Sequence, residues 1–390
     1  MQRSARSTEA GFAILAAASI LAACAGGTTT GGPAAPNPIP AVSVSQAPPA
    51  TASATPSPAA AAPTSSAPAT AAPAGTASAS PAPAASVDDA TLCSGWTSRT
   101  VATGLGVLES VLIDPSGNGV LLSNTSGNAV QRLASDGTVT TVASLTAPGE
   151  LVALAGGNVL VSTGDSTADA LAGTANGSFV ILDPATGAAP TYATGLVAPN
   201  GVAIDASGNG YTTDTGTTPG TGITLVPASG PGHPQANWAP VTDSNGIAID
   251  AGKRVLYVDQ TFSATNDIEV LSLDAPQTVK LLVSLTGIGS PVPKGLDDMI
   301  LDPTGILDVA ANLSGEVFRV DPATGYACLL QGGYTLTSSV ALETSAPHGL
   351  LVVGFDGSVH ELIPPVPLPA FASPQAHHDR GRPDVSVRRY

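Results

Sequence analysis

The chain has 390 residues, 13 Lys and Arg against 29 Asp and Glu, and a formal net charge of −16. So few cations, with no basic stripe interleaved with aromatics, exclude a nucleic-acid-binding surface. Only 11% of residues are charged and the three cysteines fit no zinc spacing.

The first six residues, Met1 to Arg6, carry two arginines, and an apolar stretch from Phe12 to Ala23 follows. That stretch is too short for a stop-transfer helix and fits a signal-peptide core. It ends in Leu21-Ala22-Ala23-Cys24, which resembles the lipobox of bacterial lipoproteins. The resemblance implies a signal peptide over residues 1–23, lipidation of Cys24 and an envelope location, facing the periplasm or exterior. A triacylated terminus would hold the chain stably at a membrane. From Ala25 to Ser86 there is neither a charged nor an aromatic side chain. Such a segment buries too little apolar surface to offset the entropy of ordering, so residues 24–90 are expected to form a disordered tether. After the leader, no apolar run is long enough to cross a bilayer as a helix.

Cys93 precedes the first predicted strand and Cys328 falls in the last strand of the fifth repeat. An exported chain permits a disulfide between them, and two independent thiols are the alternative. The strand Arg99–Leu105 has no repeat of its own. Then a unit of about 40–50 residues recurs six times, the sign of a β-propeller in which each unit is a blade. Its grammar is clearest where Val111-Leu112-Ile113-Asp114 leads through Pro115-Ser116-Gly117-Asn118-Gly119 into Val120-Leu121-Leu122-Ser123, a strand, a turn and a second strand. Asp114, Asp205, Asp250 and Asp302 recur after the first strand of a unit and are read as turn residues that bond their own backbone. An insertion near Ser166–Ala175 predicts a rim loop, as do Thr215–Thr221 and Ser263–Asp267. The sixth unit has only three strands, so the N-terminal strand is predicted to supply its missing outer one and remove an exposed edge. The expected fold is an all-β, six-bladed propeller over residues 91–364, with a disordered tail over residues 365–390.

Each unit opens with an apolar run, at Val111, Val152, Val202, Ile247, Met299 and Val340. Two residues before these stand Glu109, Glu150, Asn200, Asn245, Asp297 and Ser338. The first strand of every blade lines the central channel, so these six side chains are expected to meet around one axis. Three carboxylates, two carboxamides and a hydroxyl make an all-oxygen set suited to a hard divalent cation, calcium above all.

The segments Pro199-Asn200-Gly201-Val202 and Ser244-Asn245-Gly246-Ile247 resemble motifs of the SMP-30/gluconolactonase/luciferin-regenerating family, as does Gly295-Leu296-Asp297-Asp298-Met299. The resemblance spans the six repeats. It implies a six-bladed propeller with one divalent metal, held by Glu109, Asn245 and Asp297, and hydrolysis of a lactone or related ester. Asn200 would lie near metal and substrate, and Asp297 would serve as general base. Glu150, Asp298 and Ser338 are left as supports behind these ligands. Asp298 stands where the family commonly has Gly, and Ser110-Val111 follows Glu109 in place of the usual Gly-Pro. The alternative reading is a non-catalytic propeller with structural calcium that binds or scaffolds an envelope partner, and a monomer is expected under either reading. No Gly-x-Ser-x-Gly is present, which argues against a serine hydrolase. His233, His348 and His360 are scattered, which leaves a lyase without an axial histidine.

Overall fold

The computed structural model describes residues 92–215, 222–343, 349–366 and 368. The leader, Cys24, the tether and nearly all of the C-terminal tail lie outside the described residues, as does most of the expected rim loop at Thr215–Thr221.

The described chain forms six four-stranded antiparallel sheets. Strand β1, Thr97–Ala102, comes first. Blade one holds β2 Leu108–Ile113, β3 Val120–Asn124, β4 Ala129–Leu133 and β5 Val139–Ser144. Blade two holds β6 Pro148–Ala153, β7 Val159–Thr163, β8 Gly177–Leu182 and β9 Thr191–Leu196. Blade three holds β10 Pro199–Ile204, β11 Gly210–Asp214, β12 Ile223–Val226 and β13 Gln235–Ala239. Blade four holds β14 Ser244–Asp250, β15 Val255–Gln260, β16 Asp267–Ser272 and β17 Ala275–Ser284. Blade five holds β18 Leu296–Leu301, β19 Leu307–Ala311, β20 Glu316–Asp321 and β21 Tyr326–Gly332. Blade six holds β22 Thr337–Leu342, β23 Leu350–Gly354 and β24 Val359–Ile363.

The fourth strand of blade six is β1, which pairs with β24 from Thr97↔Ile363 to Ala102↔Val359. This is the ring closure expected from the three-stranded sixth repeat. The closing strand starts two residues earlier than the sequence suggests, and it ends three residues earlier because Gly104 and Gly106, at φ 73° and 95°, leave the extended conformation. The insertion of blade two contains a short helix, α1, Thr167–Ala172, capped by Ser166. The aspartates expected in turns take that role. Backbone N–H groups of Ser116, Ser207, Lys253 and Thr304 donate to Asp114, Asp205, Asp250 and Asp302 at 2.7–2.9 Å.

The hydrophobic core lies between neighbouring blades. Leu108, Val111 and Leu122 of blade one pack with Val353 and Val359 of blade six. Tyr257 and Ile268 of blade four pack with Met299, Val309 and Phe318 of blade five. A disulfide joins Cys93 to Cys328, and Cys93, Leu92 and Cys328 are buried with Val340, Leu350 and Leu362. The N-terminal segment is thereby fixed to blade five, next to the blade that β1 completes. This settles the choice the sequence left open between a bridge and two thiols.

A candidate metal centre at the propeller axis

The six inner strands begin up to four residues before the apolar runs, and all six carry a register shift in their first turns of pleat. The shifts fall between Leu108 and Ser110, Pro148 and Leu151, Pro199 and Val202, Ser244 and Ile247, Leu296 and Met299, and Thr337 and Ser339. A bulge of this kind re-aims side chains and interrupts pairing. Glu109, Glu150, Asn200, Asn245, Asp297 and Ser338 all sit inside these bulges. The backbones crowd there. A Cβ on Gly201 would stand 2.4 Å from the Asn245 carbonyl, and one on Gly246 would stand 2.5 Å from Asp259 Oδ2 and 2.8 Å from Asp298 Cα.

The second strands brace the bulges. Ser162 Oγ accepts from the Glu150 N–H at 2.7 Å, Thr213 Oγ1 from Gly201 at 2.9 Å and Asp259 Oδ1 from Gly246 at 2.8 Å. Asp259 thus occupies a position that is Ser or Thr in blades two and three, and its Oδ2 is buried with no partner. Alignment of the repeats on their second strands would have exposed this acid.

Two hydrogen-bonded groups result. Asn200 Nδ2 donates to Glu109 Oε1 and to Asp165 Oδ2, each at 3.0 Å. Asp297 accepts from Asn245 Nδ2 at 3.0 Å and from Asn312 Nδ2 at 2.9 Å. Asn245 Nδ2 also reaches Thr261 Oγ1 at 2.7 Å, which leaves Asn245 Oδ1 and Asn312 Oδ1 buried without a partner. Asp165 and Asn312 are absent from the sequence-derived set. Asp165 directly precedes the blade-two insertion, and Asn312 directly follows β19.

The three residues left as supports diverge. Glu150 Oε1 accepts from Ser110 Oγ at 3.0 Å. Asp298, standing where the family commonly has Gly, reaches across to blade six and accepts from Ser339 Oγ at 2.6 Å. Ser338 Oγ donates to the Leu108 carbonyl at 2.6 Å and to that of Val353 at 3.3 Å. The hydroxyl is therefore committed to the seam between blades six and one, and its bonds run to backbone rather than to any axial acid.

Burial raises Asp214 and Asp308 elsewhere in the fold to about 7, and in this region it raises a whole group of neighbouring acids. Burial first, opposed by the Asn200 bond and reinforced by Asp298, pushes Glu109 up to about 7. Burial pushes Asp298 up to about 6 against the donors from Ser339, Met299 and Val340. Glu150 and Asp165 are raised well above the usual range by burial, with the charge of Asp298 adding to Glu150 and that of Glu109 to Asp165. Asp297 is raised by burial, then by Glu109 and Asp259. Asp259 is raised by burial, with Asp298 adding. No lysine, arginine or histidine is among the groups that shift any of the six.

Among the described residues, no three His, Cys, Asp or Glu side chains gather closely enough to hold a metal by themselves. A cation here would need carboxamide oxygen beside two carboxylates. The buried, unpartnered Asn245 Oδ1 beside Asp297 is an oxygen of that kind. The donor set is therefore chemically suited to a hard divalent ion.

Residues 107–347 match the family model described as the SMP-30/Gluconolactonase/LRE-like region. No curated protein matches the chain. Among solved structures, a gluconolactonase from Xanthomonas campestris superposes with a TM-score of 0.56 at 19% identity, covering 72% of this chain and 92% of that one. A luciferin-regenerating enzyme gives 0.54 at 15% identity, over 71% of this chain and 98% of that one. Regucalcin from Agrobacterium tumefaciens, described as a calcium-binding protein, gives 0.53 at 18%, over 71% and 97%.

Proposed function

The chain belongs to the SMP-30/gluconolactonase/LRE-like family, and on that premise we propose that it is a divalent-metal-dependent hydrolase of lactones or related esters. The observation that carries this reading is the axial accumulation of acid. Six carboxyl groups at one axis are held above their usual proton affinity by burial, reinforced in five of them by one another, with no basic side chain among the groups that shift them. A buried like-charge cluster is unfavourable unless protons or a cation neutralise it.

Glu109, Asn245 and Asp297 would hold the ion, with calcium the expected one. A bound calcium supplies Lewis-acid polarisation of the ester carbonyl. The chain supplies the rest. Asp297, with one oxygen held by Asn245 and the other by Asn312, is oriented to take a proton from an attacking water. Asn200, with both Nδ2 hydrogens donated to Glu109 and Asp165, keeps its Oδ1 to accept from a substrate hydroxyl. The relation to gluconolactonase and luciferin-regenerating propellers supports a small-molecule ester substrate. Envelope anchoring through Cys24 is part of the same proposal, supported by Leu21-Ala22-Ala23-Cys24 after the Phe12–Ala23 run.

Calcium titration of the full chain by calorimetry, followed by a lactone and ester screen, tests the reading. Saturable binding that is lost in Asp297→Ala, with turnover that depends on calcium, is the expected result. Binding without hydrolysis of any lactone or ester would move the protein to the scaffold reading. Absence of binding in the wild type would remove the metal from the account.

A further inference from the structure

Asp165 has no counterpart among the six repeat positions, and it is the acid that touches the Glu109–Asn200 pair. Its backbone is pinned. The N–H groups of Gly164 and Asp165 donate to the carbonyls of Thr146 and Ala147 at 3.0 and 3.1 Å. Its side chain lies close against Gly149. A Cβ on Gly149 would stand 3.1 Å from Asp165 Oδ2 and 3.2 Å from Asp165 Cβ. From this fixed place Asp165 Oδ2 accepts from Asn200 Nδ2, the same nitrogen that donates to Glu109 Oε1.

A carboxamide has two ends of opposite polarity and similar shape. With carboxylates on two sides of its nitrogen, Asn200 has one favourable orientation: Nδ2 toward Glu109 and Asp165, and Oδ1 turned away from both. Rotation of the amide would give up both of the bonds that Nδ2 now donates, to Glu109 Oε1 and to Asp165 Oδ2. Glu109 is in turn held by the nitrogen that Asp165 orients. We propose that Asp165 is a positioning residue of the axial site, which fixes the Asn200 amide and, through it, the Glu109 carboxylate. The proposal rests on the metal-site reading for its consequences in calcium affinity, but the hydrogen-bonded clamp itself does not.

Two variants separate orientation from charge. Both Asp165→Asn and Asp165→Leu remove the acid, but only Asn keeps an acceptor for Asn200 Nδ2. The metal-free full chain is compared first, through the side-chain amide signals of ¹⁵N-labelled asparagine, with the Asn200 pair identified by its loss in Asn200→Asp. The Asn200 signals are expected to stay close to the wild type in Asp165→Asn and to shift toward those of free amides in Asp165→Leu. Calcium affinity by calorimetry is expected to fall about tenfold or more further in Asp165→Leu than in Asp165→Asn, the size typical of losing a residue that orients a ligand. Equal melting temperatures in the two variants ensure that the comparison is local. Unchanged Asn200 signals in Asp165→Leu would overturn the proposal, as would equal calcium affinities in the two variants. A wild type that binds no calcium would defeat the metal reading, and the amide signals would still decide for or against the clamp.

Discussion

Asp302 and Asp308 in blade five face Arg319, whereas Glu109 and Asp297 at the axis face one another's charge. Both sets are largely withdrawn from water. In blade five, Arg319 Nε donates to Asp308 at 2.8 Å and its Nη2 donates to Asp302, while the Leu92 carbonyl accepts from Nη1 and Trp96 lies under the guanidinium. Lys294 and Glu316 form a second buried pair at 2.8 Å. Arg132 and Asp114 form a third, half-buried on the arginine side, where burial is outweighed by Ser116 and Arg132 and the carboxyl is held below its usual range. At the axis only carboxamides, hydroxyls and backbone N–H groups bond the acids. The difference teaches that this fold neutralises some buried carboxylates with its own cations, whereas the acids around the channel, like Asp214 in blade three, have none among the groups that shift them. Acids left without a cation at the axis are what the proposed divalent ion would neutralise.

The contrast can be broken from either side. Arg319→Leu should leave Asp302 and Asp308 buried without a cation and cost about 3–5 kcal/mol in urea denaturation. A loss below about 1 kcal/mol would mean that the paired region is no better compensated than the axis. The next effect is in pH. Glu109 titrates near 7 and Asp298 near 6 in the folded chain, against ordinary values of 4.5 and 3.8. The folded protein therefore binds more protons than the unfolded one between these values. The stability these two groups contribute in the metal-free protein is fully present below about pH 4 and is lost as pH rises through 6 and 7. Melting temperatures followed from pH 4 to 8 should fall across this window, and millimolar calcium should flatten the upper end. A rise in stability over the same range would contradict the axial electrostatics. The smallest effect is expected from Glu150→Gln, which keeps an acceptor for Ser110 while removing an acid. It should stabilise the metal-free protein at pH 7 by on the order of 1 kcal/mol, and the gain should vanish near pH 4.

The repeat, the turn aspartates and the closing strand were legible because each rests on local rules. Strand period, Asp and Gly turns and an unpaired edge are written in contiguous residues. Glu109, Asn200, Asn245 and Asp297 were legible for a related reason, since equivalent positions in a propeller must converge on the axis. Asp165, Asp259 and Asn312 were not. They lie on second strands or just beyond them, and nothing in their neighbours in sequence marks them as axial. Ser338 differs from the other five. It occupies the repeat position, but a hydroxyl in a bulge at the ring closure finds two backbone carbonyls before it finds an acid.

By itself, the amino-acid sequence determined the six-bladed ring, its closure by the N-terminal strand and the inner-strand positions that meet at the axis, because repeat period and hydrophobic alternation are properties of neighbouring residues. Only the tertiary structure decided which acids acquire a partner. The bond from Asn200 to Glu109 crosses 91 residues and that from Asn312 to Asp297 crosses 15. The same burial gives one aspartate an arginine and another only a second acid. Hydrogen bonding and desolvation depend on distance in space, and the chain sets that distance only when the blades close.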